Sequence, residues 1–333
     1  MQREISTGRN NKNIGKLHMT KVVYVTGCCG FIGYYVAKRC LEEGYYVIGV
    51  DKMTYAADED LIDKLFEISP DHFRFFQSDI NDLDRLADCD YVINCAAESH
   101  VDNSIMSSEV FLRSNINGVH KLLQLIKQKS LYNMPTLLHF STDEVYGDIE
   151  QGAHIETDLL KPSNPYSASK AAADMLILAW ARTFKVPYVI VRPTNNYGVG
   201  QYAEKLIPKS CKHLMLGKKI DVHDRGMPWR TWLHASDTAE AVLTIIKSGV
   251  QNEIYNINGN CEYQNIEVIK KIIRWMNSDF DYEKYLTHYT RPGHDVRYAL
   301  DDTKLKALGW QPKAVFDDEL KKIIEHSKNN FIW

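Results

Sequence analysis

Short apolar runs rich in β-branched residues alternate with longer amphipathic segments over the first two thirds of the chain. The apolar runs predict strands at 22–26, 45–50, 73–77, 91–95, 136–141, 188–192 and 253–257. The amphipathic segments predict helices at 31–43, 110–128, 165–184 and 235–248. Strand–helix alternation is typical of a parallel sheet covered by helices on both faces. The pattern therefore predicts an α/β fold with a doubly wound parallel sheet.

The alternation weakens after residue 192, and Pro, Gly, Asn, Trp and His concentrate up to residue 234. Residues 262–333 are predicted to be mostly helical, with an irregular stretch around 291–295. We therefore predict a larger domain of residues 19–192 and 234–259 and a smaller, discontinuous α/β lobe of residues 193–233 and 260–333. The Asn-rich residues 1–18 show no periodicity and are predicted to form a flexible extension.

Composition excludes several classes of protein. The 333 residues carry 40 Lys and Arg against 43 Asp and Glu, so the chain lacks the basic excess typical of a nucleic-acid binder. Apolar residues make up 44% and charged residues 25%, an ordinary globular mixture. The seven cysteines are too few for a disulfide scaffold in a chain this long, and their odd number leaves at least one unpaired. This composition predicts a reducing, cytoplasmic location.

An uncharged run at 22–37 follows a mildly basic start, which is also the outline of an export signal. The run is short for a membrane span, and it contains Gly27, Gly30 and Gly33 at regular spacing. We interpret it as a strand, a glycine turn and a helix, and we predict no membrane partner.

The glycine turn is typical of a dinucleotide site. Glycines at Gly27, Gly30 and Gly33 let the backbone approach a pyrophosphate, which the N-terminus of the following helix then binds. The spacing is GxxGxxG and not GxGxxG, so the motif alone is only moderately specific, and a turn kept for tight packing is the alternative. Asp51 ends the next strand, 18 residues after Gly33, where a carboxylate binds ribose hydroxyls and repels a 2′-phosphate.

The larger domain is therefore predicted to be a Rossmann domain that binds NAD. Asp79 is a candidate for the adenine edge or, alternatively, a solvated loop acid. The predicted NAD-binding residues are Gly27, Gly30, Phe31, Ile32, Gly33, Asp51, Asp79, Ile80 and Ala96, together with Tyr166 and Lys170.

Tyr166 and Lys170 are four residues apart near the start of a predicted helix, so their side chains share one face. Asn164 can cap this helix and Pro165 suits its first position. A lysine ammonium beside a phenol favours the phenolate, which predicts a lowered pKa for Tyr166 and a base for a hydroxyl proton. The pair follows a strand that ends in Ser-Thr-Asp-Glu at 141–144, at the edge where open α/β sheets bind ligands.

Together these residues resemble a known family, the extended short-chain dehydrogenases/reductases. The motifs that carry the resemblance are GCCGFIG at 27–33, STDEVYG at 141–147, NPYSASK at 164–170, RPTNNYG at 192–198, AEKLIP at 203–208, WRTWLHASD at 229–237, YNINGN at 255–260 and RPGHD at 291–295. It extends over about residues 19–330. The Thr-Asp-Glu triplet is similar to that of nucleotide-sugar 4,6-dehydratases, with dTDP-glucose 4,6-dehydratases as the nearest group.

The resemblance implies a lyase reaction on a nucleoside-diphosphate hexose, giving the 4-keto-6-deoxyhexose and water. Tyr166 would take the 4-hydroxyl proton while NAD accepts hydride, with Thr142 bonded to that hydroxyl or to the phenol and Lys170 bound to the nicotinamide ribose. Glu144 would remove the proton on carbon 5, and Asp143 would protonate the departing 6-hydroxyl. Hydride then returns to carbon 6 and a proton to carbon 5, so NAD ends unchanged.

Neighbouring residues on a regular strand point to opposite faces. Asp143 and Glu144 therefore reach one substrate only if the backbone leaves β geometry at this point. Two solvated loop acids are the alternative.

The resemblance also implies a substrate site. Arg230 and Arg291 are candidates for the diphosphate because a guanidinium fork matches phosphate oxygens. The other predicted substrate residues are Ser99, His100, Asn195, Lys205, Asn258 and His294. For Asn258 and His294 a purely structural role is an equal alternative.

The chain departs from the family pattern at four positions. Cys28 and Cys29 replace small residues in the glycine turn, Asn103 stands where an arginine is common, and Thr231 interrupts the usual Arg-Asp-Trp. A cradle made of backbone survives the two cysteines, whereas Asn103 and Thr231 put the sugar or base preference in doubt, and not the type of reaction. No histidine or cysteine spacing predicts a metal site.

Two rival functions stay open. An NAD-dependent 4-epimerase or decarboxylase would share Tyr166 and Lys170 but would not need the acid pair. A non-catalytic NAD-binding scaffold would not need the five residues Thr142, Asp143, Glu144, Tyr166 and Lys170. The resemblance further implies a homodimer paired through the helices at 110–128 and 165–184, and it leaves open whether the base is thymine or uracil.

Overall fold

The computed structural model describes residues 20–277, 281–290 and 295–330. The predicted extension 1–18 and the predicted substrate residues Arg291 and His294 lie outside these ranges.

The described residues form twelve strands. They are β1 (Val22–Thr26), β2 (Tyr46–Asp51), β3 (Phe73–Gln77), β4 (Tyr91–Asn94), β5 (Thr136–Phe140), β6 (Tyr188–Pro193), β7 (Asn195–Tyr197), β8 (Ile220–His223), β9 (Trp229–His234), β10 (Glu253–Ile257), β11 (Cys261–Gln264) and β12 (Leu286–Tyr289). Seven of them form one parallel sheet in the order β10-β6-β5-β4-β1-β2-β3. The doubly wound parallel sheet is thus confirmed, and its strand order reverses between β1 and β4.

The helices are α1 (Phe31–Glu42), α2 (Asp60–Ile68), α3 (Val101–Met106), α4 (Glu109–Phe111), α5 (Gly118–Lys127), α6 (Pro165–Phe184), α7 (Leu206–Met215), α8 (Ala235–Ser248), α9 (Asn265–Asn277), α10 (Thr303–Lys306) and α11 (Phe316–Asn329). Buried side chains of α1 and α8 pack on one face of the large sheet, and those of α5 and α6 on the other. The strands supply both cores because their side chains alternate, with Val23 and Val25 on one face and Tyr24 on the opposite face.

The smaller lobe has a core of its own. Strands β11, β9 and β7 form a three-stranded sheet, and β12 and β8 form a two-stranded one. Apolar side chains of α7, α9 and α11 pack together beside these strands. The chain enters this lobe directly from β6, which ends at Pro193, two residues before β7 begins. The lobe therefore stands at the carboxyl edge of the large sheet. The predicted domain boundaries stay a prediction.

Three local features differ from the sequence pattern. Helices α2 and α7 were not predicted, and the region predicted to be mostly helical after residue 260 contains strands β11 and β12. The predicted helix 110–128 is interrupted by a π-helical segment at Leu112–Asn117. This segment turns Asn115 inward, which a regular periodicity does not reveal.

Over the ranges that the structure describes, no helix is both long and apolar enough to span a bilayer. The cytoplasmic location stays a prediction.

Candidate active site

The glycine turn joins β1 to α1 and brings the backbone of two strands together. Gly27 has a φ of +72°, and a Cβ on it would lie 2.7 Å from the Ala96 nitrogen that follows β4. A Cβ on Gly33 would lie 1.9 Å from the Gly27 carbonyl oxygen. Helix α1 begins at Phe31 without a side-chain cap, so the N–H groups of its first turn are directed at the cleft. The turn is therefore shaped for an anionic group that lies against bare backbone.

Asp51 ties this turn to the end of β2. Its carboxylate accepts hydrogen bonds from the Cys29 nitrogen at 3.0 Å and the Met53 nitrogen at 2.9 Å. A carboxylate has lone pairs left after two such bonds, so it can still accept from ribose hydroxyls. Cys28 and Cys29 are buried in the core beneath the turn, which explains how these larger residues fit beside a phosphate site.

Cys28, Cys29 and Asp51 also place possible metal-ligand atoms within 4.8 Å of one another. The Cys28 thiol contacts Cys29 and is buried, and both effects raise its pKa well above the usual value. A protonated thiol is a poor metal ligand, and both oxygens of Asp51 already accept backbone N–H bonds. The cluster therefore fits a packed turn better than a metal centre.

Asp79 and Ile80 lie at the opposite end of the same cleft. The Asp79 carboxylate accepts from the Asn81 backbone nitrogen and side-chain amide, both at 2.9 Å, and so caps a short turn. Ile80, Ala96 and Asp79 line one cleft with the glycine turn.

The Thr-Asp-Glu segment leaves β geometry immediately after β5. The strand ends at Phe140, and Asp143–Tyr146 forms a 3-10 turn. Thr142 starts this turn by accepting from the Glu144 nitrogen at 3.3 Å, and its hydroxyl donates to Asp143 Oδ1 at 3.0 Å. Both acids consequently line one cleft of about 310 Å³ with Tyr166 and Lys170, as the sequence required of a shared site.

The two acids sit in different electrostatic surroundings. Burial, and next the neighbouring charge of Glu144, raise the pKa of Asp143 to about 7. Its Oδ2 is buried and finds no hydrogen-bond partner among the described residues. Burial also raises the pKa of Glu144, but an amide hydrogen bond from Asn164 at 3.2 Å and the charges of Arg230 and Lys205 oppose this. At neutral pH, Asp143 is thus the better proton donor and Glu144 the better acceptor.

The predicted cap of α6 is confirmed. Asn164 accepts from the Ser167 nitrogen at 2.9 Å, Ser167 returns the bond to the Asn164 nitrogen at 3.3 Å, and Pro165 occupies the first turn. This cap fixes where α6 starts and therefore directs Tyr166 and Lys170 into the cleft.

The predicted lowering of the Tyr166 pKa is wrong for the chain without ligands. Burial, and next the charge of Glu144, raise the pKa of this phenol. Burial also lowers the pKa of Lys170 to about 8. The prediction was wrong because it included only the charge of Lys170. The turn after β5 also brings the carboxylates of Glu144 and Asp143 to this phenol, and both raise its pKa.

A buried ion pair holds these elements together. Asp174, one turn after Lys170 on α6, accepts from Arg192 Nε at 3.1 Å and Nη2 at 2.9 Å, and from the Ser141 hydroxyl at 3.0 Å. Arg192 also donates to the Tyr146 hydroxyl at 2.7 Å, and that hydroxyl donates to Asn256 at 2.8 Å. One network thus connects α6, both ends of the acid turn, β6 and β10.

The predicted substrate residues fall into two groups. Asn195, Lys205 and Ser99 line the cleft, with Lys205 Nζ donating to the Ser99 carbonyl at 3.0 Å. The buried Asn195 Oδ1 has no partner within the described chain. Arg230 is buried and does not itself line this cleft, but it lies close enough to act on both acids, and it donates to the carbonyls of Trp229 and Asp295.

His100 and Asn258 do not line this cleft. His100 accepts from the Asn103 nitrogen at the start of α3, and Asn258 is half-buried on the segment between β10 and β11.

Two contacts at the site were not predicted from the sequence. Asn115 accepts from the Glu98 nitrogen at 2.9 Å and donates to the Ser169 hydroxyl at 2.9 Å, so it fixes the loop after β4 against α6. The Tyr55 hydroxyl donates to Glu204 at 3.0 Å, across the rim of the cleft. Neither contact follows from a sequence period, because each joins residues on separate loops or on the π-helical segment.

The chain is similar to several known proteins over nearly its whole length. The family described as GDP-mannose 4,6 dehydratase matches residues 24–323. A dTDP-glucose 4,6-dehydratase of Streptomyces niveus is 37% identical over 322 residues, which cover 93% of this chain and 94% of that protein. A trifunctional UDP-glucose 4,6-dehydratase of Arabidopsis thaliana is 35% identical over 94% of this chain and 48% of its own length.

A solved structure is also similar. DesIV of Streptomyces venezuelae, a dTDP-glucose 4,6-dehydratase crystallised with NAD and TYD bound, matches with a TM-score of 0.86 and 34% identity. The match covers 93% of this chain and 97% of that one.

The shape of the glycine turn yields a prediction for Gly27→Ala. Left-handed backbone costs a non-glycine residue about 1–2 kcal/mol, and the new Cβ would also clash with the Ala96 nitrogen. We expect the affinity for NAD to fall by about tenfold or more, measured by calorimetric titration of protein freed of its nucleotide.

Gly44→Ala is the matched control. Gly44 also has a positive φ, +86°, but nothing lies within 4 Å of a Cβ placed there. Equal loss of NAD affinity in both variants would show that backbone strain alone, and not the cradle, explains the effect.

Proposed function

This chain belongs to the GDP-mannose 4,6 dehydratase family, and we propose that it is an NAD-dependent lyase that converts a nucleoside-diphosphate hexose to its 4-keto-6-deoxy derivative and water. The observation that carries the proposal is the pair Asp143 and Glu144, which share one cleft with Tyr166 and Lys170 and differ in proton affinity. The proposal is supported by a dTDP-glucose 4,6-dehydratase relative and a solved dTDP-glucose 4,6-dehydratase structure, both of which match this chain over nearly its whole length.

The residues present fit NAD. The glycine turn is a cradle that a Cβ at Gly27 or Gly33 would fill, Asp51 would bind the adenosine ribose, and Lys170 the nicotinamide ribose. The solved structure of DesIV with NAD bound supports this assignment. When bound, NAD would supply the hydride acceptor for carbon 4 of the sugar and, once reduced, the hydride donor for carbon 6.

We assign the proton at the 4-hydroxyl to Tyr166. Its pKa is raised in the chain without ligands by burial and by Glu144, so the phenol takes up a proton readily once it is ionised. The Thr142 hydroxyl also acts on this phenol and lowers its pKa. Its single proton is donated to Asp143 Oδ1 in the structure and can instead be donated to the phenolate of Tyr166, so one hydroxyl serves the base for oxidation and the acid for elimination.

The elimination itself needs one acid and one base on neighbouring carbons. Asp143, with its raised pKa and unpartnered Oδ2, gives a proton to the departing 6-hydroxyl. Glu144, held by Asn164 in a position close to Arg230, takes the proton from carbon 5. A 4-epimerase or decarboxylase has no step at carbon 6 that requires this acid, and a scaffold has no need of either group.

The nucleotide diphosphate is assigned to cations of the smaller lobe. Arg230 and Lys205 both act electrostatically on the acid turn. Asn195 lines the same cleft as Lys205, and its unpartnered Oδ1 can accept a hydrogen bond from a hydroxyl of the sugar. We propose a thymidine diphosphate sugar, supported by the dTDP-glucose relatives, with the UDP-glucose relative as the alternative.

We further propose a homodimer. Val110, Leu112 and Met175 are 52%, 47% and 49% exposed on segments that pack against each other, and exposed apolar patches mark interfaces. Light scattering is expected to give twice the 38.3 kDa of one chain. Met175→Asp is expected to give monomers, whereas Met215→Asp on α7 should leave the mass unchanged. A monomeric wild-type protein would refute the proposal.

The acid role yields a prediction for Asp143→Asn. An amide cannot donate the proton that a departing hydroxyl needs, so kcat should fall by about 10²–10⁴-fold while substrate binding persists. The assay is the loss of one water from dTDP-glucose, with UDP-glucose in parallel, measured by mass spectrometry without added cofactor.

Asp237→Asn is the control. Asp237, on α8, is similarly buried, but its carboxylate accepts from the backbone nitrogen of Ala314 and does not line the cleft. Its kcat should change little. An Asp143→Asn protein that still eliminates water at the wild-type rate would remove Asp143 from the mechanism.

The raised pKa of Asp143 yields a pH prediction. The group must carry its proton to act as acid, and that proton is lost as pH rises through about 7. We therefore expect kcat/KM, which reports the enzyme without substrate, to fall by about tenfold per pH unit above this range, and this alkaline limb should vanish from the residual activity of Asp143→Asn. A kcat/KM that stays constant far above neutral pH would contradict the assignment.

A further inference from the structure

A row of buried polar side chains runs through the sheet behind Lys170. Thr26 pairs in register with Asn94, and Asn94 pairs with His139, so the three residues lie side by side on β1, β4 and β5. Each is at most 1% exposed. None has a part in the proposed reaction, yet a polar row this deeply buried requires complete hydrogen bonding.

The orientation of the Asn94 amide follows from its contact with Thr26. The Thr26 oxygen accepts from the Ala96 nitrogen at 3.5 Å and lies 2.6 Å from Asn94 Oδ1. A separation of 2.6 Å is in the range of O–H···O bonds and shorter than usual for N–H···O bonds. The Thr26 hydroxyl therefore donates, and the oxygen of the Asn94 amide is the atom that faces it.

The amide nitrogen of Asn94 then faces His139 Nδ1 at 3.0 Å. An amide nitrogen has no lone pair to offer, so it donates and His139 Nδ1 accepts. Burial lowers the pKa of His139 well below its usual value, so the imidazole is neutral. A neutral imidazole carries a single N–H, which must be on Nε2.

His139 Nε2 lies 3.5 Å from Lys170 Nζ. An N–H group can donate to the lone pair of an amine, but an ammonium group has no lone pair. We propose that Thr26 and Asn94 fix the tautomer of His139, and that His139 is a positioning residue whose Nε2–H favours the neutral amine of Lys170. The proposal rests on the proposed function, in which Tyr166 is the base, and on the expectation from the sequence that the charge of Lys170 favours the phenolate of Tyr166.

The other titratable groups that act on Lys170 leave room for this effect. Asp174 on the same helix favours the ammonium, and its charge is shared with Arg192 and Ser141, which bind Oδ2, while Oδ1 has no partner within the described chain. Burial raises the pKa of the Cys95 thiol after β4, so it stays uncharged. Burial of Lys170 acts in the same direction as His139 and lowers the pKa of the amine to about 8.

The row thus controls how strongly Lys170 supports a phenolate. An ammonium at Lys170 stabilises the ionised form of Tyr166, whereas the amine does not. Favouring the amine holds Tyr166 protonated in the chain without ligands, in the same direction as its raised pKa. His139 touches neither substrate nor cofactor in this arrangement and acts only through Lys170.

The test is NMR of isotope-labelled histidine in the NAD-loaded protein, which reports the tautomer directly and needs no turnover. We expect His139, assigned by the loss of its signals in His139→Gln, to carry its proton on Nε2. Asn94→Asp should move the proton to Nδ1, because a carboxylate accepts and does not donate.

Thr26→Val and Thr26→Ser form a matched pair that serves even if Asn94→Asp fails to fold. Valine removes the hydroxyl that orients the amide and should release the tautomer, whereas serine should retain it. A wild-type His139 protonated on Nδ1, or a tautomer unchanged in both Asn94→Asp and Thr26→Val, would overturn the proposal.

A second readout links the tautomer to the reaction. In Asn94→Asp, Nε2 becomes an acceptor for the Lys170 ammonium, so the acid limb of kcat/KM should move to lower pH by about one unit. An unmoved acid limb despite a changed tautomer would refute the effect on Lys170. Absence of dehydratase activity in the wild type would refute the proposed function and leave the NMR result intact.

Discussion

The site depends on one buried ion pair, Arg192 with Asp174. Two hydrogen bonds join the pair itself, and two more connect it to Ser141 and Tyr146 at the two ends of the acid turn. A buried pair of this kind contributes little net stability, but removing one partner leaves an uncompensated charge in the core. The ion pair instead fixes geometry. Asp174 lies on α6 with Lys170, so its pairing with Arg192 fixes the position of this helix against the acid turn.

The arrangement of the sheet explains why the reactive groups meet. Parallel strands end at one edge, and the order reverses between β1 and β4, where a cleft opens. The glycine turn follows β1, Ala96 follows β4 and the acid turn follows β5. Each segment leaves regular β geometry within a few residues of that edge. The irregular backbone exposes its own polar groups and directs neighbouring side chains into the same cleft.

The sequence predicted the elements well where a single period dominates. The bounds of β1, β3, β10, α6 and α8 agree with the pattern because each is an uninterrupted run with clear ends. It failed where tertiary contacts override the period. Asn115 turns inward on a π-helical segment, and β11 forms only because β9 offers it a partner.

The same distinction holds for the site. Motifs indicated which residues gather at the cleft, including Asp143 and Tyr166. They could not give proton affinities, because these depend on burial and on charges contributed by distant segments. The pKa of Tyr166 was mispredicted for this reason: the sequence places Lys170 beside it, but only the fold places Glu144 there.

The division of the site between two lobes has a chemical consequence. The acids Asp143 and Glu144 lie on the turn after β5, and Tyr166 lies on α6, beside the large sheet. Arg230 and Lys205, whose charges lower the pKa of Glu144, belong to the smaller lobe. A diphosphate bound to those cations would neutralise part of their charge and let the proton affinity of the acids rise. Substrate binding and proton transfer would then be coupled through charge, because one lobe contributes the cations and the other the acids.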